Sequence, residues 1–198
     1  MFEELFYQTL SSFIPLFIIL DPFLGLVVFI HLTKGMDRKE KAKQALTAVS
    51  VALGLLIVFL FSGIYILEVL GIEFSSFRVA GGVILLILGI QAVLGIEFSK
   101  KKHSDKVAAV IIGTPLLCGP GVLTTVIILS QQYGFLPPLI ASFVALFITW
   151  VMLFFSEKIS EAIGEQFVEI MSRILGLILA ALAAEFIKDG IIGMIKGG

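Results

Sequence analysis

Charge is scarce in this chain. Asp, Glu, Lys and Arg make up only 15% of its 198 residues, against about a quarter in an ordinary soluble domain. The 14 basic side chains are balanced by 15 acidic ones, which excludes a nucleic-acid binder working through overall positive charge. Cysteine occurs once, at Cys118, so no internal disulfide can form. Histidine occurs twice, at His31 and His103, too few and too scattered for a zinc cage. No nucleophile stands in pattern with a base, so neither an enzyme nor a resident metal or cofactor is expected.

What fills the space is apolar. Hydrophobic residues reach 59% and the mean hydropathy is +1.10. Residues 107–156 form a 50-residue window without one charged side chain, and residues 44–67 another of 24. A helix crosses the roughly 30 Å hydrocarbon core with about 20 apolar residues. The first window therefore holds two crossings and the second one. The bilayer is this chain's solvent, and the expected fold is an all-α integral membrane protein. The amino end carries Glu3 and Glu4 where a secretory signal needs positive charge, so the first apolar segment is read as a retained span.

Charge clusters and turn residues mark out six spans, at residues 5–32, 44–67, 78–96, 107–129, 135–156 and 173–195. Lys34, Arg38, Lys39, Lys41 and Lys43 follow the first span, and Lys100, Lys101, Lys102 and Lys106 follow the third. With Lys158 and Arg173 this places eleven basic residues on one side, against Arg78, Lys188 and Lys196 on the other. The positive-inside rule makes loops 33–43 and 97–106 cytoplasmic and puts both termini outside. Between spans five and six, Glu157, Glu161, Glu165 and Glu169 recur every fourth position, while Ile159, Ile163, Phe167, Ile170 and Met171 recur at helical spacing. That pattern suits a helix at residues 157–171 lying in the interface plane, or a solvated loop helix packed on its neighbours.

The chain reads as a single membrane domain, 1–198, made of two copies, about 1–97 and 107–198. Asp21-Pro22 falls on Gly119-Pro120 at an offset of 98, and Arg78-Val79-Ala80-Gly81 on Arg173-Ile174-Leu175-Gly176 at an offset of 95. Val51-Ala52-Leu53 with Leu60-Phe61 falls on Val144-Ala145-Leu146 with Leu153-Phe154 at 93. Each copy has three spans, an odd number, so the second enters the membrane from the opposite side. Inverted repeats of this kind are the architecture of many secondary transporters.

Asp21-Pro22 and Gly119-Pro120-Gly121 both stand inside apolar spans. Proline lacks the N–H, crowds the preceding turn and pushes the residue before it out of helical geometry, so both helices are expected to break. Each second half then starts at Pro22 or Pro120, with free N–H groups and a positive dipole end turned into the protein. Such backbone is tolerated at depth where it is buried or lines a polar cavity. A pair of breaks at equivalent positions of inverted repeats points to a binding site; a plain proline kink is the alternative at either one.

The two breaks differ. Asp21 can cap its helix, whereas Gly119 leaves the donors of Gly121 and Val122 open. The anionic end of a substrate is expected at residues 119–121 and its cationic end near Asp21, Pro22 and Phe23. Asp21 is a coupling group or only a cap. Thr124 and Thr125 offer hydroxyls to the second break or bond back to their own helix. Arg78 and Arg173 read as interfacial anchors or as gates. Gln91 lines a cavity or bonds a neighbouring helix. Glu185 lies twelve residues beyond Arg173, about 18 Å along a helix at 1.5 Å per residue, a coupling candidate unless Lys188 and Asp189 mark the helix as already surfacing. Gly176, Ala180 and Ala184 form a small-residue ridge for close helix packing, as do Gly81 and Gly82.

Four of these stretches together resemble the MarC family of six-span membrane proteins: Asp21-Pro22; Arg78-Val79-Ala80-Gly81-Gly82; Pro115-Leu116 through Cys118-Gly119-Pro120-Gly121; and Ser172-Arg173-Ile174-Leu175-Gly176 through Glu185-Phe186-Ile187-Lys188-Asp189-Gly190. The resemblance covers essentially the whole chain. It implies transport of neutral amino acids such as glycine and alanine. Many members follow the first Asp-Pro with Leu-Gly-Asn and a second proline, where this chain has Phe23-Leu24-Gly25-Leu26-Val27, so one amide is missing from the expected site.

The expectation is a secondary transporter of a small zwitterion working by alternating access and coupled to a proton or a sodium ion. Its partners are that small molecule and the lipid bilayer, not nucleic acid, and the sequence sets no oligomeric state. The alternative is a channel or a non-transporting membrane scaffold.

Overall fold

The computed structural model describes residues 2–95 and 119–197. The expectations for loop 97–106, His103, Cys118 and the first part of the fourth span lie outside the described residues. The regular elements within them are helices: α1 Phe2–Leu20, α2 Pro22–Leu32, α3 Arg38–Val69, α4 Phe74–Leu94, α5 Pro120–Tyr133, α6 Leu136–Phe154, α7 Ser156–Ile163 and α8 Glu165–Gly197. Five stretches are long and apolar enough to cross a membrane: Glu3–Ile30, which joins α1 and α2, then Arg38–Val69, Phe74–Leu94, Leu136–Phe154 and Gln166–Lys196. With 14 residues, α5 is about 21 Å long, short of a crossing by itself.

Two boundaries differ from the sequence expectation, each for a local reason. The second span starts at Arg38 rather than 44, because Asp37 and Glu40 form a reciprocal capping box: the Glu40 N–H donates to Asp37 Oδ1 at 2.7 Å and the Asp37 N–H to Glu40 Oε2 at 3.2 Å. The interface helix expected at 157–171 is not one element. It is cut at Gly164, whose φ of +83° is a left-handed turn, into the short α7 and the first two turns of the 33-residue α8. Arg173 and Glu169 pair across one turn, so the charges that looked like a boundary carry the helix through it.

Glycine brings α4 and α8 together, antiparallel and in close backbone contact. A Cβ on Gly82 would stand 2.9 Å from the Ala183 carbonyl oxygen, one on Gly89 2.8 Å from that of Gly176, and one on Gly190 2.8 Å from that of Ser75. In lipid no hydrophobic force drives helices together, so close approach of small residues carries association. The expected ridge holds at Gly176 and Ala180, which meet Gly89, and departs at its third member: Ala183 is fully buried, whereas Ala184 faces outward. Around this pair, α2 packs on α8, α5 on α4 and α1, α3 on α6 and α5, and α1 on α6. Leu16, Leu20, Leu56, Leu60, Leu85 and Leu146 fill the centre, while large apolar side chains such as Phe61, Tyr65, Phe147 and Leu177 face outward. An apolar exterior around an apolar centre is what a bilayer-embedded bundle requires.

Candidate functional site

The first helix is broken at Asp21, as its proline predicts. The residue sits at φ 36°, ψ 71°, the one left-handed non-glycine residue among the described ones. That conformation costs roughly 1–2 kcal/mol for an L-residue, though Asp tolerates it better than most. Its carboxylate holds the geometry from two directions. Oδ1 accepts the Leu24 N–H at 3.1 Å, capping α2, and Oδ2 accepts the hydroxyl hydrogen of Ser172 on α8. The Asp21 carbonyl then accepts the Gly25 N–H at 3.0 Å and starts the helical ladder. Pro22 occupies the first helical position and is buried, and Phe23 packs against the core.

At Gly119 the backbone is extended, φ −69° and ψ 172°, a conformation open to any residue. Glycine is therefore not required by the torsion angles; what it contributes is a helix start with no side-chain cap. One donor expected to be open is closed: the Val122 N–H donates to the Gly119 carbonyl at 3.0 Å, and the Leu123 N–H shares that acceptor at 3.2 Å. The turn tightens on itself because no side chain competes. Pro120 is the first helical residue and is exposed, while Gly119 and Gly121 are buried.

The start of α5 adjoins the end of α1. A Cβ on Gly121 would lie 3.5 Å from Ile19 Cγ2, two residues before Asp21, and 2.7 Å and 3.1 Å from the ends of Leu85 and Leu88 on α4. Any residue larger than glycine at 121 would press on Leu85 and Leu88 of α4, while its contact with Ile19 would be an ordinary van der Waals one. Thr124 binds back to the Pro120 carbonyl at 2.8 Å and seats its methyl where a Cβ on Gly81 would stand. Thr125 is fully buried and lies one turn along α5 from Gly121. Its hydroxyl oxygen has no hydrogen-bond partner among the described residues. A buried hydroxyl without a partner costs about 1–3 kcal/mol.

The remaining sequence candidates stand apart from this junction or flank it. Gln91 is half-buried, one turn beyond Leu88. Arg173, next to Ser172, pairs with Glu169 and reaches the end of α4, 3.4 Å from where a Cβ on Gly95 would be, where a cation complements the helix dipole. Arg78 lies at the far end of α4, 3.7 Å from Asp189 of α8 and over the rings of Phe74 and Phe186. Glu185 faces outward in an ion pair with Lys188. Ser172 is the participant that residue spacing does not reveal, because it meets Asp21 across 151 positions of sequence. Among the described residues no three His, Cys, Asp or Glu side chains gather as a metal site.

A bundle of membrane-length apolar helices, one of them interrupted at a buried X-Pro and meeting the uncapped start of another, defines a multi-pass integral membrane protein. The MarC family model, described as integral membrane protein, matches residues 6–195, and the chain belongs to that family. A UPF0056 membrane protein of Methanocaldococcus jannaschii is 32% identical over 92% of this chain and 95% of its own length. The UPF0056 inner membrane protein YhgN of Escherichia coli is 30% identical over 96% and 99%. A UPF0056 membrane protein of Archaeoglobus fulgidus is 33% identical over 91% of each. No solved structure matches the chain.

Proposed function

We propose that the protein is a secondary transporter of small neutral amino acids, glycine or alanine in size, built of two inverted three-span repeats and working by alternating access. The observation that carries this reading is the meeting of the two interruptions at Ile19 and Gly121. A zwitterion suits that junction. The bare start of α5 attracts a carboxylate through its dipole, the Thr125 hydroxyl supplies a hydrogen bond, and the Asp21 carboxylate beside the other break attracts an ammonium. In this reading Asp21 also carries the coupling to a proton or sodium ion.

Reciprocal contacts support the inverted repeat. On one side α2 packs on α8, on the other α5 on α4; α3 meets α6, its counterpart, and α4 meets α8, its own. Arg78 of α4 reaches toward the end of α8 and Arg173 of α8 toward the end of α4. The two arginines lock opposite ends of the α4–α8 pair, with the amino-terminal half of the chain entering from outside. No catalytic role belongs to this reading.

Proteoliposomes decide it. Labelled alanine should enter saturably, exchange against unlabelled alanine inside, and accumulate when a proton or sodium gradient is imposed. Flux that rises linearly with concentration and shows no exchange would replace the carrier by a channel, and absence of flux for all neutral amino acids would remove the reading.

A further inference from the structure

At the basic end of the bundle, the start of α3 meets the end of α6 and the start of α7 around a shallow, open cleft of about 60 Å³. Arg38, Lys41 and Lys158 line it, against one carboxylate, Glu157. Lys41 is spent on Glu157. Arg38 and Lys158 have no ion-pair partner among the described residues. Two cations without an ion-pair partner therefore face one small space.

The rest of the wall is aromatic. Phe154 and Phe155 line the cleft and continue a chain of ring contacts along α6: Phe147 to Trp150 at 5.9 Å, Trp150 to Phe154 at 5.5 Å and Phe154 to Phe155 at 4.9 Å between centroids. Phe147 is 62% exposed. The Trp150 Nε1–H is buried with no acceptor among the described residues. Aromatic side chains next to a basic cluster, at the end of an apolar span, mark the headgroup level of a bilayer. Basic pockets between spans at that level suit phosphate-bearing lipid headgroups.

We infer that this cleft is a binding site for an anionic phospholipid, with its phosphate held between Arg38 and Lys158 and its acyl chains laid along the exposed aromatic face of α6. The aromatic face selects a lipid over free phosphate, since an inorganic ion uses only the polar end of the site. Two net positive charges select an anionic headgroup over a zwitterionic one. This site is independent of the junction at Ile19 and Gly121, and it stands or falls separately from the transport reading.

The test is a titration of the purified full chain in neutral detergent, read by native mass spectrometry and by the thermal midpoint. Phosphatidylglycerol should be retained and raise the midpoint, phosphatidylcholine should bind at least tenfold more weakly, and inorganic phosphate should do neither. Arg38→Gln with Lys158→Gln should weaken phosphatidylglycerol about tenfold, whereas Lys188→Gln with Lys196→Gln should leave it unchanged. Equal retention of the two lipids, or an unaffected double variant, overturns the site; inorganic phosphate matching the lipid overturns the lipid assignment. Should the double variant lose its lipid-free midpoint, Lys158→Gln alone, on exposed α7, should weaken binding about threefold, and no loss there also overturns it.

Discussion

At residue 21 the chain turns through a left-handed aspartate whose side chain satisfies the new helix and grips α8; at residue 119 it turns through an extended glycine that caps nothing with a side chain. Both positions precede a proline that takes the first helical position: at Asp21 a helix is broken, and at Gly119 a helix begins. The difference lies in what happens to the freed polar groups. At the first break they are consumed by the protein, with both carboxylate oxygens engaged. At the second, the dipole end of α5 and the Thr125 hydroxyl carry no side-chain partner among the described residues. One is therefore a fixed joint carrying negative charge, and the other an unfilled donor site whose first turn lies against Ile19. Charge of one sign built in, and room for the other sign left open, is the arrangement a zwitterion fills.

Substitutions at each break should expose the asymmetry. Asp21→Ala removes the cap, the grip on α8 and the residue type that tolerates a left-handed turn, so a loss of about 3 kcal/mol is expected together with loss of transport. A thermal melt in detergent checks the first part, and an unchanged midpoint would mean the carboxylate holds nothing. Ser172→Ala leaves one carboxylate oxygen without its donor and should cost about 1–2 kcal/mol; the same melt reads it. In the opposite direction, Gly119→Asp supplies the missing cap to α5. It should stabilise the protein by no more than about 0.5 kcal/mol while raising the KM for alanine tenfold or more, because the new carboxylate repels the substrate's own. Stabilisation with an unchanged KM would detach the second break from binding. The smallest expected effect is that of Thr125→Val, which removes an unpartnered hydroxyl at nearly constant shape: stability should rise by no more than about 1 kcal/mol, with the KM increased a few-fold.

The break at Asp21 was legible in the sequence because proline acts through its own covalent structure, and five of the spans because a charge-free run of some 20 residues has few other uses. The start of α3 was missed: its signal lies in Asp37 and Glu40, but a capping signal among so many charges is easily overruled by the apolar window that follows. The continuity of α8 was not. Glu169 and Arg173 look like an edge until their spacing of four is seen to make them partners. Nothing local announces the bond from Ser172 to Asp21, or the contact of Ile19 with Gly121. Those depend on how separate helices cross, which hydropathy does not encode. The same applies to Glu185, whose position along the helix suggested depth but whose side chain turns outward to Lys188.

The most direct test of the junction is its access to water and substrate. In a chain whose one cysteine is replaced by Cys118→Ser, Thr125→Cys should react with a small charged methanethiosulfonate reagent added in water, and alanine should slow that reaction in proportion to its occupancy. A cysteine at this position that stays unmodified from both sides of the membrane, or reacts at a rate no amino acid alters, would contradict a shared polar site between the two helix starts.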